Sequence, residues 1–76
     1  MYFDKVKELI VDTLNIDEAD ITMEANLKDD LSVDSLDAME VVLALEEEYG
    51  ITIEPEVLAT FATVEDIVKY LEANVQ

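Results

Sequence analysis

With 76 residues, no cysteine and no histidine, the chain holds one small core, has no disulfide to staple it, and lacks both the commonest general base and the commonest metal ligand. Four lysines against 20 acidic residues leave a net charge of -16, which excludes nucleic acid and anionic membrane surfaces as targets, because both demand a basic footprint. A hydrophobic content of 51% equally excludes a disordered acidic tail, so a single folded domain over residues 1–76 is expected.

Phe3, Val6, Ile10, Thr13 and Leu14 recur on one side of a helical wheel, with Asp4, Lys5, Lys7, Glu8 and Asp12 mostly elsewhere. This spacing predicts an amphipathic first helix over roughly Tyr2 to Leu14, with Asn15 as a left-handed stop. From Ile16 to Val33 no period is sustained and Asp, Asn and Thr abound, which predicts a long loop pinned to the core by Ile21, Leu27 and Leu31. Loops of that length usually have work to do.

Asp34-Ser35-Leu36-Asp37 opens the central helix, which runs to about Tyr49 and stops at Gly50. Asp34 is a preferred N-cap, Ser35 the first helical residue and Asp37 the third, giving a box-like pair of carboxylates. A hydroxyl so placed sits at an exposed helix tip, where free amides can meet a phosphate. On the wheel, Ala38, Val41, Val42, Leu45 and Tyr49 form a core stripe. Leu36, Met39 and Leu43 fall on a separate strip that starts beside Ser35, with Glu40 and Glu47 on one side and Glu46 on the other. Scattered surface residues would explain such a strip, since exposed apolar side chains are common. An apolar strip ringed by like charge also fits a basic partner with an apolar pocket, and no lysine or arginine occurs from Asp29 to Val68 to mask that charge.

Ile51-Thr52-Ile53 alternates weakly, but no second strand exists to pair with it, so it reads as loop. Pro55 suits the first position of a short helix over about Pro55 to Thr60, with Val57, Leu58 and Phe61 as its apolar contacts. Thr63-Val64-Glu65-Asp66 reads as a capping box, and Val64, Ile67, Val68, Leu71 and Val75 make the inward stripe of a last helix. The expected fold is all-α: a small four-helix bundle of three longer helices and one short one, with a long loop between helices 1 and 2.

Ser35 has no histidine to activate it, and the lysines lie far from it in sequence, so a serine-hydrolase role is ruled against. Pairs of carboxylates are too abundant here to signal a glycosidase. An EF-hand register started at Asp30 puts Ser35 where glycine is needed and Val41 where a bidentate glutamate is needed, so no dedicated calcium site is expected. No catalytic residue and no metal ligand is assigned, and the chain is not expected to be an enzyme. A serine at a helix tip with no base of its own is either an ordinary first-turn residue or an attachment point modified by another protein.

Asp30-Leu31-Ser32-Val33-Asp34-Ser35-Leu36-Asp37 resembles the phosphopantetheine attachment motif of acyl carrier proteins. The likeness extends over the whole chain in length, acidity and helix order, in Leu45-Glu46-Glu47-Glu48-Tyr49 at the end of the central helix, and in Thr63-Val64 before the last. It implies that Ser35 receives 4′-phosphopantetheine from coenzyme A through a phosphodiester, installed by a basic, magnesium-using transferase, and that the arm's thiol carries acyl groups as thioesters. Asp34 would help present the metal during that transfer. Leu36, Asp37, Met39, Glu40, Leu43 and Glu47 match the family's partner-recognition helix, whose basic partners include ketosynthases, acyltransferases and reductases. Leu27, Leu31, Leu45, Leu58 and Phe61 match an interior that admits an acyl chain, although ordinary core packing suffices for all five. Three positions depart from the pattern. Ser32 stands where the family often has glycine, and a positive φ there would cost stability. The proline comes a residue later than in the best-known bacterial members, and Leu58 is bulkier than a frequent alanine.

The expectation is a stand-alone, monomeric carrier serving fatty acid synthesis, with a polyketide or other specialised pathway as the alternative and an unmodified acidic interaction module as the third reading. Met1 at the start and an end just past the last helix argue against a fragment of a larger synthase. No basic n-region or membrane-length apolar run appears, which makes the cytoplasm the expected location.

Overall fold

The computed structural model describes residues 2–75; Met1, read above as the chain start, and Gln76 lie outside them. Four helices follow in order: α1 (Tyr2–Leu14), α2 (Ser35–Tyr49), α3 (Pro55–Leu58) and α4 (Val64–Asn74). Among the described residues there is no strand, and no helix is long and apolar enough to cross a membrane. Among the described residues α1 packs on both α2 and α4, while α3 packs on α2 and on no other helix.

The ends of the helices follow the local chemistry of the sequence. Asn15 adopts φ 58° and ends α1, and Gly50 adopts φ 65° and ends α2. Asn tolerates this left-handed region because its short amide bonds locally, and Gly because it has no Cβ. At α4 the capping box is complete: Thr63 Oγ1 accepts from the Asp66 amide, and the Asp66 carboxylate accepts from the Thr63 amide. α3 is shorter than predicted. It ends at Leu58, and the chain passes through Ala59 and Thr60 as a turn in which the Thr60 hydroxyl donates to the Val57 carbonyl.

The core lies where the stripes meet. Val6 and Ile10 of α1, Val41, Val42 and Leu45 of α2, and Val64, Ile67, Val68 and Leu71 of α4 are buried. A side chain such as Leu45 or Leu71, wholly out of water, contributes about 1.5–3 kcal/mol. Ile21, Leu27 and Leu31 pin the long loop as expected, and Ala25 and Val33 are buried beside them. That loop is more ordered than its lack of period suggests. A single 3-10 turn (Glu18–Asp20), capped by Asp17, interrupts it. Asn26 then acts as a hub: its side-chain oxygen accepts from the Lys28 and Asp29 amides, and its own amide donates to Asp30. Farther along, the Leu27 amide donates to the Ala62 carbonyl, and the Val64 and Glu65 amides donate to Ala25 and Met23. Asn26 and Thr63 meet as a lone antiparallel bridge. The loop is thus laced to the α3–α4 link and holds its far end, Val33-Asp34, in place against the body.

Candidate functional site

Asp34 sits at the N-terminus of α2 in extended backbone, and its Oδ1 accepts from the Asp37 amide at 2.8 Å. Its carbonyl accepts from the Ala38 amide. The cap bond runs one way only, since among the described residues the Asp34 amide does not donate to the Asp37 carboxylate in return. Ser35 follows as the first helical residue, exposed. Its amide and that of Leu36 have no protein acceptor among the described residues, as expected for a first helical turn. The hydroxyl therefore stands free, with two unsatisfied donors close by in the chain and nothing packed over it.

The electrostatics around this hydroxyl bear on how a phosphate could be held there. Asp34 and Asp37 bracket it, and the helix N-terminus offsets only part of their charge. A free phosphate gains little by settling between two carboxylates. A phosphate joined through a covalent bond to the serine oxygen needs no such affinity, and the open tip gives it room. The residues present thus fit a covalently attached phosphodiester rather than a reversibly bound anion.

Below Ser35 on the same helix, Leu36, Met39 and Leu43 are the exposed large hydrophobics among the described residues, at 69%, 51% and 59%. Burial of Val41, Val42 and Leu45 on the opposite side confirms that the helix carries two separate apolar faces. Glu40 and Glu47 are exposed and enter no ion pair among the described residues. Lys5 instead pairs with Glu8 and Glu48, and Lys7 with Glu18, which keeps the basic residues of α1 away from the strip. Glu46 behaves differently from its expected place at the edge of the strip. It is half-buried, and its carboxylate accepts from the Ile53 amide at 2.6 Å, beyond the end of the helix.

An apolar cavity lies beneath α3, lined by Leu27, Leu58 and Phe61 together with Ile10, Val41, Ile67 and neighbours from α2 and the long loop. Its free volume is about 10 Å³, room for roughly one water molecule. Leu31 and Leu45 are buried core residues that do not line it. Of the five residues matched to an acyl-chain interior, the structure thus brings three to one cavity and leaves two in the general core. In this conformation the cavity has no room for anything much larger than a water molecule.

Comparison with known proteins shows the family of the chain as a whole. Residues 4–71 match the family described as the phosphopantetheine attachment site. An acyl carrier protein of Petrotoga mobilis (strain DSM 10674 / SJ95) is 49% identical over 69 residues, spanning 91% of this chain and 81% of that protein.

Proposed function

This chain belongs to the acyl carrier protein family, whose prosthetic group is 4′-phosphopantetheine, and from that premise we propose that it carries acyl groups as thioesters on an arm attached to Ser35. The observation that carries the assignment to Ser35 is the exposed hydroxyl at the capped tip of α2, inside the matched segment and beside two free amides. The group supplies the thiol that this cysteine-free chain lacks. The chain's own residues supply the tether and its surroundings. Asp34 fixes the helix start through one carboxylate oxygen and keeps the other free to face a metal held by the transferase. Asp37 adds a second negative charge at the same tip.

In this reading the strip of Leu36, Met39 and Leu43, with Glu40 and Glu47 unpaired at its edge, is the surface onto which basic enzymes dock: the transferase first, then ketosynthases, acyltransferases and reductases. Its apolar residues give contact area, and its acids steer encounter. Leu27, Leu58 and Phe61 form the interior that an acyl chain enters once α3 moves aside, since the closed cavity is too small. The chain catalyses no step itself, in keeping with its want of histidine and of any base at the hydroxyl. We propose fatty acid synthesis as its pathway, and a monomeric single domain over 1–76 in the cytoplasm; the likeness to an acyl carrier protein over 91% of the chain supports the carrier role from which this reading extends.

Incubation with coenzyme A, magnesium and a phosphopantetheinyl transferase tests the attachment. The expected outcome is one added phosphopantetheine by mass, absent from Ser35→Ala. An adduct that survives Ser35→Ala rejects the assignment.

A further inference from the structure

The segment Glu54–Phe61, which contains α3, is lightly secured. α3 is a single turn, its N-cap Glu54 makes no side-chain cap bond, and none of its residues is buried. Two carboxylates hold its flanks instead. Before it, Glu46 near the end of α2 accepts from the Ile53 amide at 2.6 Å. After it, Asp66 in the first turn of α4 accepts from the Ala62 and Thr63 amides at 2.8 and 3.0 Å. All three bonds tie a backbone amide outside the helices to a charged acceptor on a well-packed helix, and charge-assisted bonds of this kind are roughly twice as strong as neutral ones. Between the two fixed points lie Leu58 and Phe61, two of the residues that close the apolar cavity.

We infer that Glu46 and Asp66 are two clamps that set how readily α3 lifts from the cavity, acting as positioning residues at the hinges of a strap. The bonds at Ile53 and at Ala62–Thr63 mark where the backbone is held while the turn between them opens. Local opening of this kind draws on the low-stability end of a structure, where few buried contacts oppose it. The use of this opening to admit an acyl chain rests on the cavity reading given above, whereas the clamps themselves do not.

Rapid amide hydrogen exchange on the full, unmodified chain tests the inference, because the Val57, Leu58 and Ala59 amides report α3 directly. Glu46→Ala removes the acceptor, and Glu46→Asp shortens its reach while holding the charge. Each is expected to speed exchange in α3 roughly tenfold, as loss of one charged hydrogen bond implies, with the Ile10, Val68 and Leu71 amides unchanged. Glu46→Gln retains an acceptor oxygen and should show a clearly smaller rise. Unchanged α3 exchange in the Ala and Asp variants overturns the inference. So does an equal rise at Ile10, Val68 and Leu71, or a Gln variant that behaves as the Ala variant does. Loading an octanoyl arm on Ser35 of the wild type tests the cavity reading separately: absence of any methyl shift at Leu27 and Leu58 rejects that reading, and the exchange result still decides the clamps.

Discussion

Ser32→Gly should stabilise this protein. Ser32 is exposed and adopts φ 56°, a left-handed conformation that places its Cβ against the neighbouring carbonyl. That conformation costs an L-residue about 1–2 kcal/mol, and glycine avoids the cost. Against this stands the greater freedom of glycine in the unfolded chain, worth about 0.4–1 kcal/mol. The Ser32 side chain makes no hydrogen bond among the described residues, so nothing else is lost. Leu31 and Val33, buried on either side, hold the backbone in place whichever residue occupies position 32. The net gain is about 0.5–1 kcal/mol, which for a domain of this size raises Tm by roughly 2–8 °C. Thermal unfolding followed by circular dichroism measures it, with Ser32→Ala as the control: alanine keeps the Cβ and should melt within a few degrees of the wild type. Ser32→Gly melting at or below the wild type would refute the strain assigned to this turn. Because the Asp34 cap lies outside the turn, the rate of arm transfer to Ser35 should be the same in both proteins.

Other outcomes follow from charge and exposure. Glu40→Lys and Glu47→Lys should weaken binding to a basic partner enzyme several-fold, measured by calorimetry, with helix content unchanged because neither residue touches the core stripe. Added magnesium or salt should raise the melting temperature by screening a net charge of -16, and a flat response would mean that self-repulsion does not limit stability. The amides of Ala62 and Thr63 hold the Asp66 carboxyl below its ordinary value of 3.8. Its bonds to them therefore favour the folded state fully above that ordinary value, and the benefit fades as pH falls through the lower folded value. The stability gap between wild type and Asp66→Asn, followed by urea unfolding, should be constant near neutrality and shrink below about pH 4; a gap that widens on acidification would contradict the assignment.

Much of this architecture could be read from residue spacing alone. The stripes of α1, α2 and α4 repeat at helical intervals, and Asp34, Gly50 and the Thr63–Asp66 pair are short-range signals that mark helix ends. The two-faced character of α2 was legible for the same reason, since Leu36, Met39 and Leu43 fall off the stripe that buries Val41, Val42 and Leu45. What escaped the sequence depends on partners distant along the chain. Ala25 is buried where its carbonyl accepts from the Val64 amide, and Val33 where it lines the cavity beside Leu58 and Phe61, and no periodicity in an irregular segment announces such contacts. Glu46 sits on the wheel beside the docking strip, yet it turns to the Ile53 amide because the chain reverses past Gly50, a choice that only the path of the loop decides. Likeness to a family groups Leu31 and Leu45 with Leu27, Leu58 and Phe61, whereas the bundle sets the cavity beneath α3 and leaves those two elsewhere in the core. Ser32 marks the opposite case: a departure at one position pointed to backbone strain, and the positive φ is there.

The most direct test of the carrier reading is the intact mass of the protein isolated from its own host, with fragmentation to locate any added group. The expected result is a population heavier by one phosphopantetheine, bare or acylated, with the added mass on Ser35. A chain found unmodified under every growth condition, or modified at another residue, would contradict it.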